Sequence, residues 1–330
     1  MLREVSNAAL SRRSLINASI GFLIGVLFTV LSKMLVDLPG SQSLAPVQVG
    51  RWGAAFGVSS LMKDFNCGFS NHEVPYFLEH SQGAHKVIID VGLKEGAETL
   101  AAVRSGFVVY AFEPVKEFVS EVVKSLTREK LDFFLVQLDE KGVIQEAIPS
   151  PRPGKGIAYI FQAAAGSAFE RKTIYVDGSG TSFHDPTAAM IGNKEEVQVV
   201  RISDYVATDV YFFKIDAQGW DYEVILGALD LLRDYIVRLI SVEFWPKGLG
   251  QSGSSASQLV DLIVKQAGYV CFDTRVMGGT PLGHVENIGG YMSMIQDLSD
   301  DTHDQRFGFF DDLTCLSPNF AQYSHVNTIS

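Results

Sequence analysis

The sequence predicts an α/β fold on a mostly parallel sheet from about residue 81 onward, and three observations predict it. Short apolar runs of strand length alternate with segments of helical period, as in successive β-α-β units. Four of those runs end on a carboxylate: VIID on Asp90, VVYAFE on Glu113, FFKID on Asp216 and LISVE on Glu243. The first run leads into a helical segment through two glycines, Gly92 and Gly96, which suit a tight strand-to-helix turn.

Upstream of that region, residues 1–14 hold Arg3, Arg12 and Arg13 and read as a cytoplasmic tail. Residues 15–32 (LINASIGFLIGVLFTVLS) carry no charge. As a helix this stretch is about 27 Å long, close to a hydrocarbon core of roughly 30 Å. Lys33 and Asp37 end it, and Pro39 and Gly40 break any helix beyond. We therefore expect a transmembrane signal anchor over 15–36, oriented as in a type II protein with the rest of the chain in the lumen of the Golgi or endoplasmic reticulum. A signal peptide cleaved near residues 43–45, an organelle transit peptide and a buried core helix are the alternative readings. Residues 37–80 have many turn formers and little periodicity, and are expected to be a stem and lead-in.

The domain is expected over 81–320, with a short tail over 321–330. Strands are expected at 86–91, 107–112 and 157–162, with helices over 95–105 and from 115 onward. Residues 149–156 (PSPRPGKG) are a loop by composition. A more polar middle holds strands at 172–176 and 197–202. Strand 210–215 then leads to a helix over 221–232, whose Val224, Ile225, Ala228, Leu229 and Leu232 share a face. Strand 238–242, helix 255–267 and strands 269–274 and 312–316 close the domain.

Composition narrows the function. The 330 residues carry a net charge of −11, which argues against a nucleic-acid partner. The mean hydropathy of +0.14 reflects the anchor together with buried strands. Cys67, Cys271 and Cys315 have no C-x-x-C spacing and the seven histidines no ligand spacing, so no metal is expected. In a lumenal domain Cys271 and Cys315 are the expected disulfide, with three buried free thiols as the alternative.

In an open parallel sheet the strand carboxyl ends share one edge, where ligands bind. Asp90, Glu113, Asp216 and Glu243 would give that edge an acidic rim. Any one of them, alone, is better explained as a helix N-cap or first-turn acid complementing the helix dipole; it is the four together that point to a ligand. The turn after the first strand lacks the G-x-G-x-x-G spacing that brings backbone close to a pyrophosphate. Glu113 follows Gly92 by 21 residues, where a carboxylate commonly accepts ribose hydroxyls. A ribose without a pyrophosphate, on an acidic rim, points to S-adenosylmethionine, whose sulfonium and amino groups are cationic.

The second marked element is KIDAQGWDYEVILGA, residues 214–228. Together with D-x-G-x-x-x-G-x-x-T from Asp90 to Thr99, F-E-P at Phe112 to Pro114, and Arg201-Ile-Ser-Asp204-Tyr, it resembles the FkbM-type family of S-adenosylmethionine-dependent methyltransferases. The resemblance implies a Rossmann-like, seven-stranded, mostly parallel sheet with helices on both faces. It also implies methyl transfer to an oxygen, on a glycan, lipid-linked or small-molecule hydroxyl acceptor. It gives Asp90, Gly92, Gly96 and Thr99 to the cofactor turn, Glu113 to the ribose and Gln162 to the adenine.

Transfer from a sulfonium to a hydroxyl requires alignment and removal of one proton. Asp216 and Glu243 are the candidate base or acceptor-positioning groups. Lys214 either orients the acceptor and steadies a developing alkoxide or pairs with a neighbouring acid. His184 is an outside candidate for the base. A methyltransferase-like binding module without catalysis is the alternative, favoured by the charged Lys94 and Glu95 in the turn. A type II glycosyltransferase is disfavoured because the chain has no Asp-x-Asp.

Overall fold

The computed structural model describes residues 74–81, 83, 86–176, 183, 193–273, 309 and 311–317. The expected tail and anchor, the stem up to residue 73, His184 and the final tail lie outside the described residues. No described helix is long and apolar enough to cross a membrane.

In chain order the elements are α1 (Val74–Glu79), β1 (Val87–Val91), α2 (Ala97–Arg104), β2 (Val108–Phe112), α3 (Lys116–Glu129), β3 (Asp132–Val136) and β4 (Ile157–Phe161). Then come β5 (Ala164–Ala165), β6 (Glu170–Val176), β7 (Asn193–Val200), β8 (Val210–Ile215), α4 (Asp221–Gly227) and α5 (Leu229–Asp234). The chain closes with β9 (Val237–Phe244), α6 (Pro246–Gln251), α7 (Ala256–Val260), β10 (Val270–Asp273) and β11 (Asp311–Leu316). A π-helical turn, Asp261–Gln266, extends α7.

The main sheet has the order β10-β11-β9-β8-β1-β2-β4-β3. β11 pairs antiparallel with both of its neighbours, and the pairs among β9, β8, β1, β2, β4 and β3 are all parallel. The sheet reverses direction of winding at β1, which puts a crevice outside the carboxyl ends of β1, β2 and β8. Seven strands take the Rossmann-like arrangement, and β3 adds an eighth at the edge. The sequence DFFLV of β3 shows no alternation to mark it, and four of its five residues are only half-buried.

Alternation along the strands divides the core. Ile89, Val91, Phe213 and Ile215 pack on one face, and Ile88, Val109, Ala111 and Phe212 on the other beneath α1, α2 and α3. Each fully buried Val, Ile or Phe side chain of this kind contributes about 1.5–3 kcal/mol. Val74, Phe77 and Leu78 of α1 belong to the second face, so residues 74–79, read as lead-in, are part of the domain.

The polar-middle strands are present as β6 and β7, which form a separate sheet with β5 in the order β5-β7-β6. Two further expectations are corrected. The helix expected over 221–232 is two helices meeting at Ala228. There the Ser203 hydroxyl donates to Gly227 O (2.9 Å) and accepts from Leu231 N (3.2 Å). It thereby occupies the place of the 231-to-227 backbone bond and interrupts the ladder. The helix expected from residue 95 starts at Ala97, because Gly96 adopts a left-handed φ of 72°. Cys271 and Cys315, opposite each other across β10 and β11, form the expected disulfide.

Candidate active site

A cleft opens at the carboxyl edge of β1, β2 and β8. One wall is Gly92, Lys94, Glu113, Pro114 and Phe118; the other is Ala164, Ala165, Ile174, Phe183 and Trp220, with Asp216, Ala217 and Gln218 at the β8 end. The small sheet thus supplies the wall facing the β1 turn. Behind that wall the Lys172 ammonium lies 4.2 Å from the Trp220 ring centroid, a cation–π contact.

The turn after β1 is set by Gly92, whose φ is 81°. A Cβ there would meet Asp216 O at 2.0 Å, so the turn lies directly against the end of β8. Asp90 lies below it, only 1% exposed, accepting from Thr99 Oγ1 at 2.7 Å. Asp90 and Thr99 therefore brace the turn from within the fold and do not line the cleft.

Glu113 does line it. Oε1 accepts from Val115 N at 2.9 Å and Oε2 from Lys94 N at 3.2 Å. Burial pushes its pKa up to about 7, against the lowering effect of those backbone N–H groups and of Lys214. Each carboxylate oxygen keeps lone-pair capacity for a further donor. Gln162 is exposed just past β4 and is absent from the cleft walls, which Ala164 and Ala165 supply at this strand end.

At the β8 end Asp216 lines the cleft, and its Oδ1 accepts from Gln218 Nε2 at 2.8 Å. The same nitrogen donates to Glu243 Oε1 at 3.0 Å, so one amide ties the acids at the ends of β8 and β9 together. Glu243 Oε2 is buried without a hydrogen-bond partner among the described residues. Burial, then the charges of Asp216, Asp221 and Asp312, raises the Glu243 pKa well above the usual carboxylate range. Asp312 stands opposite Glu243 in the β11–β9 register. Among the described residues no group of acids, histidines or cysteines is arranged to hold a metal ion.

Lys214 is buried and absent from the cleft walls. It lies 3.4 Å from Asp90 Oδ1 and donates to Gly92 O at 2.7 Å. Burial opposes its charge, but Asp90, Asp216 and Glu98 more than reverse this and raise its pKa, keeping the ammonium charged.

Sequence reasoning missed four contributors. Gln218 holds a left-handed φ of 50°, which nothing in a non-glycine side chain announces. Asp221 accepts from Ala217 N (2.9 Å) and Gly219 N (3.0 Å), closing the β8–α4 turn, and burial pushes its pKa up to about 7. Its place at the helix start was the available signal. Glu98, in the first turn of α2, has its pKa raised by burial and sits within the field of Lys214. Phe183 reaches the cleft from a segment with no periodic pattern.

Comparison with known proteins now adds to this geometry. The methyltransferase FkbM domain matches residues 83–271. The chain belongs to the FkbM methyltransferase family. The solved FkbM methyltransferase from Methylobacillus flagellatus is 14% identical with a TM-score of 0.38; the match covers 71% of this chain and spans 44% of that one. A Streptococcus mutans protein described as a methyltransferase and solved with SAH is 10% identical, with 76% and 98% of the two chains covered and a TM-score of 0.38. An O-methyltransferase from Bacillus cereus, in complex with SAH, is 10% identical with 87% and 97% covered and a TM-score of 0.31. No curated protein matches the sequence. For this FkbM domain, the matched span holds Asp90, Gly92, Glu113, Lys214, Asp216 and Glu243, and ends at Cys271.

Proposed function

We propose that this FkbM domain is an S-adenosylmethionine-dependent methyltransferase acting on a hydroxyl of a glycan, lipid-linked or small-molecule acceptor. The observation that carries the reading is Glu113, a cleft-lining carboxylate at the end of β2, joined by a hydrogen bond to the glycine turn after β1. The donor set fits the cofactor: Glu113 lines the cleft and has acceptor capacity for ribose hydroxyls. The apolar side chains of Phe112, Phe118 and Pro114 beside Glu113 suit a flat base. When bound, S-adenosylmethionine supplies an electrophilic methyl group on a positively charged sulfur.

The chain's own residues then have three tasks. The Gly92 turn and Glu113 hold and orient the adenosine. Ile174, Phe183 and Trp220 exclude water from the far side of the cleft. Asp216, partly exposed and held at Oδ1 by Gln218, accepts the acceptor's hydroxyl proton at Oδ2. Glu243 acts on Asp216 through the shared Gln218 amide and not by touching the acceptor.

We further propose that residues 15–36 anchor the protein in a type II orientation with the domain in the lumen of the Golgi or endoplasmic reticulum. The uncharged run behind Arg12 and Arg13 supports this, and the Cys271–Cys315 disulfide suits an oxidising compartment. The full chain, purified for binding and left in intact microsomes for topology, tests both readings. Calorimetry is expected to give S-adenosylmethionine binding at sub-millimolar concentration, and D216N is expected to retain it while losing labelled methyl transfer to a hydroxyl panel. Absent binding sinks the methyltransferase reading. Digestion of the domain by protease added to intact microsomes sinks the lumenal one.

A further inference from the structure

Lys214 occupies the centre of the site and does not itself line the cleft. It is 2% exposed, and its register partner across the parallel β1–β8 pair is Asp90. A simple ion pair would need only that acid. Yet Nζ lies closer to the Gly92 carbonyl, at 2.7 Å, than to Asp90 Oδ1, at 3.4 Å, and the Val91 carbonyl is also within 3.4 Å. Asp216 Oδ2 stands 3.9 Å away on the cleft side. An ammonium has three donors and no acceptor, so it can gather several oxygens at once as a neutral side chain of the same length could not.

The carbonyl it holds belongs to the turn that meets Glu113. Two residues beyond Gly92, Lys94 N donates to Glu113 Oε2, and the Lys94 backbone is itself left-handed at φ 47°. The turn has little slack, because Gly92 lies against Asp216 O. A continuous set of contacts thus runs from Lys214 Nζ through the Gly92 carbonyl and the turn to the Lys94 amide and Glu113.

We propose that Lys214 is a positioning residue for the cofactor turn, fixing the Gly92 carbonyl and through it the Lys94 amide on Glu113, without touching cofactor or acceptor. The inference rests on the cofactor reading above. Asp90 has the matching task of keeping the ammonium charged and placed, and Thr99 holds Asp90 in turn. A buried lysine in this position costs desolvation, which the neighbouring carboxylates offset.

The test is calorimetric binding of S-adenosylhomocysteine to the full chain between pH 6 and 9. K214M leaves Asp90 buried without its cation, so K214M/D90N, which removes both charges, is measured beside it. The double variant is expected to melt close to the wild type and to bind S-adenosylhomocysteine at least tenfold more weakly. The pH midpoint of its binding is expected to move upward, since Glu113 loses both the Lys94 amide and the Lys214 charge, the charged group from β8 that acts on it. A purely structural lysine would not move that midpoint. Affinity within twofold of wild type, with an unmoved midpoint, overturns the inference. So does failure of both variants to fold, because Lys214 would then serve the fold at large. Absent binding to the wild type removes the cofactor reading and this inference with it, whereas equal binding by wild type and variants removes the inference alone.

Discussion

Burial pushes the Glu113 pKa up to about 7 from an ordinary 4.5, so a residue that lines the cleft weakens the ligand-free fold. Between those two values the folded chain keeps a proton that the unfolded chain has lost, and stability falls as pH rises through that window. The cost is on the order of 3 kcal/mol once the group is ionised. E113Q removes the ionisation but keeps only one acceptor oxygen, so one of the Val115 and Lys94 N–H groups loses its partner. Relative to wild type it is expected to melt lower near pH 4.5, to gain on it as pH rises to 8, and to bind S-adenosylhomocysteine about tenfold more weakly at either end. A melting difference that does not change between pH 4.5 and 8 would show that Glu113 is not the strained acid. Asp221 and Glu243 are raised in the same direction, so the empty domain is expected to be more stable at pH 5 than at pH 8.

The β1–α2 turn is the element on which the cleft depends, and its geometry is testable through one methyl group. A Cβ on Gly92 would lie 2.0 Å from Asp216 O, in a backbone conformation that disfavours alanine. G92A is expected to cost about 2–4 kcal/mol. It is also expected to abolish S-adenosylhomocysteine binding, because either the turn or the end of β8 must move; urea unfolding and calorimetry read the two effects. This element was legible in the sequence, since a strand ending on Asp90, two spaced glycines and an acid 21 residues on are all local signals. What was not legible depends on contacts between distant segments. The interruption of the helix at Ala228 comes from Ser203, far upstream, and no periodicity in 221–232 reports it. Lys214 was readable as a lysine at a strand end, but its choice of the Gly92 carbonyl over the cleft follows from the β1–β8 register. Likewise Asp312 becomes a neighbour of Glu243 only through the antiparallel β11.

At the scale of the molecule, the sheet order separates what holds the far edge from what builds the cleft. The disulfide joins β10 to β11 at one end of the main sheet, and β9 and β8 stand between it and β1 and β2. The two cysteines are 44 positions apart in sequence. A cross-link closing a loop of that length stabilises by about 3–4 kcal/mol if its effect is on the unfolded chain. C271S/C315S is therefore expected to melt lower by an amount that reductant reproduces in the wild type. Its affinity for S-adenosylhomocysteine is expected to be unchanged at temperatures where it remains folded, because Gly92, Glu113 and Lys214 belong to β1, β2 and β8 or the turns after them. β11 also presents Asp312 to Glu243, so the reaction has a route of dependence that binding lacks. Loosened β11 weakens the Asp312 charge that, after burial, Asp216 and Asp221, helps to raise the Glu243 pKa, and methyl transfer is expected to fall in the variant while binding stands. Equal loss of binding and transfer would mean that the edge and the cleft are one cooperative unit.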